Sequence, residues 1–417
     1  MRFRRLLRFG LLAALGVLGS TGTAAALEGR VVDAVTGNGI AGATVTVGEA
    51  TVTSDAIGHF AITANGATVM ARAPGYRALG VPVADLAGAP APLRLAPFIA
   101  KAIYLSFYGI GYKPTRDAAL KLIHGDDGLN ALVIDIKGDR GLVAFKTDVA
   151  LAHEVSADRI TTIPNLRALL EGLHDEGIYA IARIVVFKDE PLASGREDLA
   201  VKTTRGAIFR DREGSPWTDP FRREVWDYNL ALAVEAARAG FDEIQFDYVR
   251  FPDAKNLRFA AKSTMASRIG AITGFLAEAR RLLAPYNVFV AIDVFGYVCW
   301  NLDDTQIGQR IEDIAPLVDY VSPMLYPSGF QFGIPGYPDP VKHPYEVVRY
   351  SLDRALARTR VSPLRFRPWL QAFKDYAFDR RVFDADEVKA QIRGAASFGA
   401  DGWMLWNPRN VYTSTGF

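Results

Sequence analysis

The sequence predicts an α/β chain: a (β/α)8 barrel preceded by a small all-β sandwich. Three observations carry this. From Ile99 onward, continuous apolar runs alternate eight times with amphipathic helical stretches, the pattern of a parallel sheet buried on both faces. Eight such units in about 320 residues suit a closed barrel of ordinary size with some insertions. Between Leu27 and Pro97, short runs rich in Val, Thr and Ala alternate with turn signals, the mark of a sandwich. A doubly wound open sheet is the competing architecture; it is disfavoured because no Gly-rich phosphate loop follows the first strand.

Composition sets the bounds. The 417 residues are 50% hydrophobic and 23% charged, enough for a large core and against wholesale disorder. Lys+Arg 48 against Asp+Glu 46 is too balanced for a nucleic-acid-binding surface. A single cysteine excludes an intrachain disulfide, and five histidines leave little material for a metal site; neither metal nor cofactor is expected. Cys299, just past the fifth strand, reads as a small buried hydrophobe.

Met1–Ala26 reads as a signal peptide. Arg2, Arg4, Arg5 and Arg8 precede an apolar run from Phe9 to Leu18, and Ala24-Ala25-Ala26 offers the small residues that cleavage needs. The run is too short to span a bilayer as a helix, and no other stretch is long and apolar enough, so a secreted or periplasmic chain without stable membrane insertion is expected. Removing four arginines and no acids takes the formal net charge from +2 to −2.

Residues 27–97 form the predicted sandwich, with turns at Thr36-Gly37-Asn38-Gly39 and Asp55-Ala56-Ile57-Gly58 and a semi-rigid proline-bearing linker at Ala87–Pro97. Residues 98–417 form the barrel. Its strands are expected at Ala102–Tyr108, Ala131–Lys137, Tyr179–Phe187, Glu243–Val249, Phe289–Phe295, Tyr320–Tyr326, Phe366–Phe373 and Gly402–Trp406. Helices are expected at Arg116–His124, Asn165–Glu176, Phe221–Ala239 and Ser267–Leu283, among others.

A barrel carries its active site at the C-terminal ends of its strands. Alternation along strands four and five turns Asp247 and Asp293 toward the axis, and an unpaired carboxylate there is costly unless it serves a partner or a reaction. Adjacent strands lie about 4.8 Å apart, which puts the two carboxyl groups roughly 5–7 Å from one another. Glycosidic cleavage needs two carboxyl groups at that scale: one protonates the leaving oxygen, the other attacks or activates water. Asp247 is expected as nucleophile and Asp293 as acid/base, with the reverse assignment open. A buried ion pair of Asp247 with Arg250 or Arg183 is the bland alternative. Asp135 and Lys137 share a face of strand two as a charged pair for a substrate hydroxyl, or as a structural salt bridge. Arg183, Lys188, Tyr248, Arg250 and Tyr326 join the candidate binding set. Trp369 and Trp406, with Tyr108 and Trp300, are candidate stacking surfaces, and Gln371 a weaker polar candidate. Two long connections, Asp189–Asp219 and Pro327–Pro344, emerge on the same face and read as groove walls.

Two resemblances sharpen this reading. Gly29-Arg30-Val31-Val32-Asp33, Thr36-Gly37, Ile40-Ala41-Gly42-Ala43, Asp55 to Phe60 and Ala73-Pro74-Gly75-Tyr76 resemble the carboxypeptidase regulatory-like domain, a small prealbumin-type sandwich, which implies an accessory module. Asn130 to Lys137, Ala182 to Asp189, Gly240 to Pro252, Ser322 to Ser328 and Asp401 to Asn407 resemble the putative glycosyl hydrolase domain family of exported bacterial proteins, which implies a TIM barrel and glycoside hydrolysis. Strand four is also distantly similar to the α-amylase clan, with Gln245 where that clan has Arg and Asp293 where it has Glu. The expected activity is thus that of an exported glycoside hydrolase acting on a polysaccharide or oligosaccharide by a two-carboxylate mechanism. The alternative is a non-catalytic carbohydrate-binding or scaffold protein of the cell envelope. A metal-dependent hydrolase is disfavoured because no histidine ends a strand.

Overall fold

The computed structural model describes residues 25–86, 91–125, 128–400 and 402–413. The signal segment lies outside the described residues up to Ala24; Ala25 and Ala26 already belong to a strand that pairs with Thr63 and Ala64.

Eight parallel strands close into a barrel. They are β1 (Lys101–Leu105), β2 (Ala131–Lys137), β3 (Tyr179–Val185), β4 (Glu243–Asp247), β5 (Phe289–Phe295), β6 (Tyr320–Met324), β7 (Trp369–Gln371) and β8 (Trp403–Trp406), each hydrogen-bonded to its sequence neighbours, with β8 closing on β1. Alternation sorts their side chains into two cores. Ala131, Val133, Tyr179, Ile181, Phe289, Ala291 and Trp369 fill the interior. Leu132, Ile134, Ala180, Ile184, Ile244, Phe246, Ile292 and Val294 meet the helices outside.

Several strands stop earlier than the apolar runs suggest, each for a local reason. β1 ends at Leu105 because the Ser106 hydroxyl caps a short helix, Phe107–Gly111, by accepting from the Gly109 amide; Tyr108, in that helix, is exposed and outside the cavity lining. β4 ends at Asp247 because Tyr248 turns into the left-handed region, φ 52°. β7 stops at Gln371, where the Gln391 side chain takes over its backbone N–H and C=O, and the Gln371 side chain is itself spent on Ser328 and the Phe373 carbonyl, a structural role. Trp300 donates to Ser351 and packs against the outer core, so it is not a stacking surface in the mouth. Cys299 is buried, and burial pushes its thiol up to about 12.

Ahead of the barrel, a three-stranded and a four-stranded sheet pack around Val31, Val45, Phe60, Ile62, Val69 and Leu95. The expected linker is partly a strand: Leu93–Leu95 pairs in parallel with Val31–Asp33, its two leucines buried and Arg94 outward. Residues 87–90 of that segment lie outside the described residues.

The sandwich caps the N-terminal end of the barrel, opposite the strand ends that carry the candidate site. Arg72 pairs with Asp319 at 3.4 Å, the Gly75 amide donates to the Tyr320 hydroxyl at 3.2 Å, and Asn287 donates to the Leu79 carbonyl at 3.1 Å. Just inside, Glu243 accepts from Arg367 at 2.5 Å and from Tyr179 at 3.0 Å, sealing that end. Arg72 is buried, so truncating it leaves Asp319 at the junction with the Val290 amide but without this cation. Arg72→Ala is expected to destabilise the chain by about 1–3 kcal/mol, read as a lower thermal midpoint by circular dichroism. An unchanged midpoint would show that the sandwich contributes nothing to barrel stability through this contact.

Candidate active site

A cavity of about 920 Å³ opens at the C-terminal ends of the strands. Arg183, at the inward end of β3, organises its floor. Its Nη1 donates to Asp135 at 2.6 Å; its Nη2 donates to Asp247 at 2.5 Å and to Asp139 at 3.0 Å; its Nε lies 3.1 Å from Asp247 and 3.9 Å from Asp293. One guanidinium therefore faces four carboxyl groups. Burial acts against its charge, but Asp135, Asp247 and Asp139 outweigh burial and hold it protonated. Its Cζ lies 4.9 Å from the Trp406 ring centre and 5.6 Å from that of Tyr104, and those two rings stack at 4.0 Å.

Asp247 lies at the cavity surface, 6% exposed. Its Oδ2 takes both Arg183 bonds, and its Oδ1 accepts from the Tyr248 amide at 2.5 Å. That last bond follows from the left-handed turn at Tyr248, a conformation that costs an aromatic residue on the order of 1–2 kcal/mol and is typical of functional sites. The turn also swings the Tyr248 ring into the cavity wall, between Trp217, Lys188 and Arg250, although strict alternation assigns it to the helix side.

Asp293 follows Ile292, the register partner of Phe246, as Asp247 follows Phe246, yet it is 1% exposed and outside the cavity lining. Its Oδ1 accepts from the Trp369 indole at 2.7 Å, while its Oδ2 accepts no hydrogen bond from the described residues. Burial first, and then the negative charge of Asp247, push its pKa well above the usual carboxylate range, against the opposing Arg183 charge. Because one oxygen of each aspartate lies within 3.1 and 3.9 Å of the same Arg183 nitrogen, those oxygens are at most 7.0 Å apart.

Asp135 and Lys137 do not pair. The ladder between β2 and β3 slips after Asp135↔Arg183, and the next partner of β3 is Lys137. This bulge turns Lys137 out of the barrel, where its ammonium meets Asp189 at 2.7 Å, the Val185 carbonyl at 2.6 Å and Asn229 at 3.1 Å. Lys137 is thus a structural cation, not a substrate contact. Asp135 stays inside, accepting from the Tyr104 hydroxyl at 2.6 Å as well as from Arg183. Lys188 bonds to Glu213 and lies beneath Tyr248, so it braces the wall without lining it. Arg250, Tyr326, Trp369 and Trp406 do line the cavity.

Burial raises Asp135 from 3.8 to about 6, the Arg183 charge opposing. Between those values the folded chain keeps a proton that the unfolded chain has lost. The stability this group contributes is full below about pH 3.8 and is lost as pH rises through about 6. Asp135→Asn is expected to flatten that decline, a change on the order of 3 kcal/mol at most, measured as urea unfolding at pH 4 and pH 7.

Asp139 and Glu213 line the cavity and were not singled out from the sequence. Asp139 had a signal: it is an acid two residues past the end of β2 on the catalytic face. Glu213 sits in the Asp189–Asp219 connection, where nothing local marks it. Phe373 and Tyr376, rings 6.2 Å apart and nearly parallel at 7°, add an aromatic wall; Phe373 closes the run read as strand seven and Tyr376 follows it, and nothing in the local sequence marks either as facing the cavity. Among the described residues, no group of three or more His, Cys, Asp and Glu side chains is arranged to hold a metal ion, and no helix is long and apolar enough to cross a membrane.

Residues 102–412 match the family model described as putative glycosyl hydrolase domain, and residues 26–96 match the carboxypeptidase regulatory-like domain. A hypothetical protein from Ruminiclostridium thermocellum is 34% identical, with 46% of this chain and 97% of that one covered and a TM-score of 0.40. The PgaB (BpsB) glycoside hydrolase domain from Bordetella bronchiseptica is 16% identical, with 75% and 95% covered and a TM-score of 0.54. The β-galactosidase from the psychrophilic Marinomonas ef1 is 11% identical, with 73% and 54% covered and a TM-score of 0.51. At these identities the last two likenesses show the barrel fold. No curated protein matches this chain.

Proposed function

Because the chain belongs to the putative glycosyl hydrolase domain family, we propose that it is an exported glycoside hydrolase that cleaves glycosidic bonds of a polysaccharide or oligosaccharide. The observation that carries this reading is Asp247: a carboxylate at the cavity floor, fixed by Arg183 and a strained backbone amide, among aromatic walls. In this mechanism Asp247 attacks the anomeric carbon or activates the water that does. Asp293, whose pKa is pushed up by burial and by the Asp247 charge, supplies the acid as the sugar settles against Trp369. The inequality between the two acids is what the reaction requires: one is bonded to a cation, the other is desolvated and charge-repelled. The glycan is held by aromatic faces at Trp406, Tyr326 and Tyr248 and by Arg250.

A specific observation favours a second reading. Asp247 is bonded to Arg183 and Asp293 is sealed beneath the floor, an arrangement that suits a barrel that binds glycan without cleaving it. Incubation with soluble bacterial and plant polysaccharides, assayed for new reducing ends, separates the two. Release of reducing ends by the intact chain supports hydrolysis. Binding without release from any polymer supports the scaffold.

A further inference from the structure

We propose that Phe332, with Phe295 beside it, forms a second glycan-binding platform outside the cavity, so that the ligand is a chain of several sugars and not a single terminal residue. This rests on the glycan reading above. Phe332 is 90% exposed and Phe295 38%, two phenyl rings held out to solvent on the catalytic face. They are joined through Tyr297, whose ring lies 6.0 Å from Phe295 and 6.3 Å from Phe332. Phe295 also lines the cavity, so the platform continues its wall outward from the floor where Asp247 lies.

Exposure of a phenylalanine on a loop is in itself unremarkable; here the loop is built to present it. The Phe332 amide donates to the Tyr297 hydroxyl at 2.9 Å, and that hydroxyl donates to the Gly333 carbonyl at 3.1 Å. Gly333 adopts φ 67°, and a Cβ there would come within 2.4 Å of the Tyr337 carbonyl oxygen, so the turn is closed and needs glycine. On the inner side Phe330 is buried against Tyr297, rings 4.9 Å apart. The backbone on both sides of the Phe332 side chain is thus tied down while the ring itself is left bare. Pre-set aromatic faces suit the apolar face of a pyranose, because little conformational freedom is lost on binding. Continuity with the cavity wall selects a glycan over a lipid or a protein.

The test is affinity electrophoresis of the full chain in native gels containing laminarin, hydroxyethyl cellulose, xylan, dextran or glycol chitin. At least one polymer is expected to retard the wild type. Phe332→Ala is expected to weaken that retardation about tenfold in apparent Kd, roughly 1.4 kcal/mol, and Phe332→Trp to retain it. Ile57→Ala, an exposed apolar residue of the sandwich, controls for general loss of surface hydrophobicity. Equal retardation of Phe332→Ala and wild type, or no retardation of the wild type by any polymer, overturns the proposal. Loss of binding to phosphatidylglycerol vesicles in Phe332→Ala, with no polymer effect, would assign the platform to a lipid surface and overturn it too. Retardation lost in Phe332→Ala without any release of reducing ends leaves the platform standing and refutes hydrolysis alone.

Discussion

Asp247→Asn is expected to lower the release of reducing ends from a responsive polysaccharide by about 10²–10⁴-fold, the range for removing one positioned acid, base or nucleophile. The change keeps the shape of the side chain and removes the charge that Arg183 and the Tyr248 amide hold in place. Binding to the same polymer should persist, because the aromatic walls are untouched. Asp293→Asn makes the companion test. It also removes an acid, but one that accepts from Trp369 and lies beneath the floor. If Asp293 donates the proton, its variant loses activity most on substrates with poor leaving groups, and the alkaline limb of the rate profile moves. Full turnover in both variants would refute the carboxylate mechanism.

Arg183→Met is expected to destabilise the barrel by about 3–5 kcal/mol near neutral pH, because it removes the one cation that Asp135, Asp139, Asp247 and Asp293 share. Buried carboxyl groups left together without a counter-charge either repel or take up protons. The loss should therefore shrink as pH falls, since Asp135 has a pKa of about 6 and Asp293 one well above the ordinary range. Thermal unfolding at pH 5 and pH 8 checks this. Arg183→Lys should recover only part of the loss, because an ammonium cannot fork between carboxylates on three sides. A midpoint deficit independent of pH would mean that Arg183 stabilises through packing alone.

The architecture and the inward placement of the acids were legible in the amino-acid order. Eight apolar runs separated by helical ones admit a closed parallel barrel, and alternation along β4 and β5 puts Asp247 and Asp293 on the axis side, because both are properties of neighbouring residues in one strand. Strand ends were less readable, since what stops β1, β4 and β7 is a cap, a left-handed turn and a side chain from a distant helix. Tertiary structure alone decided which groups meet. Arg183 bonds to acids from β2, from the turn after it and from β4, and the bulge after Asp135 sends Lys137 away from them. Depth is likewise a tertiary property: Asp247 and Asp293 read alike along the chain, yet one borders the cavity and the other is covered, because the tilt of closed strands and the packing of Trp369 set how far each carboxyl lies from water.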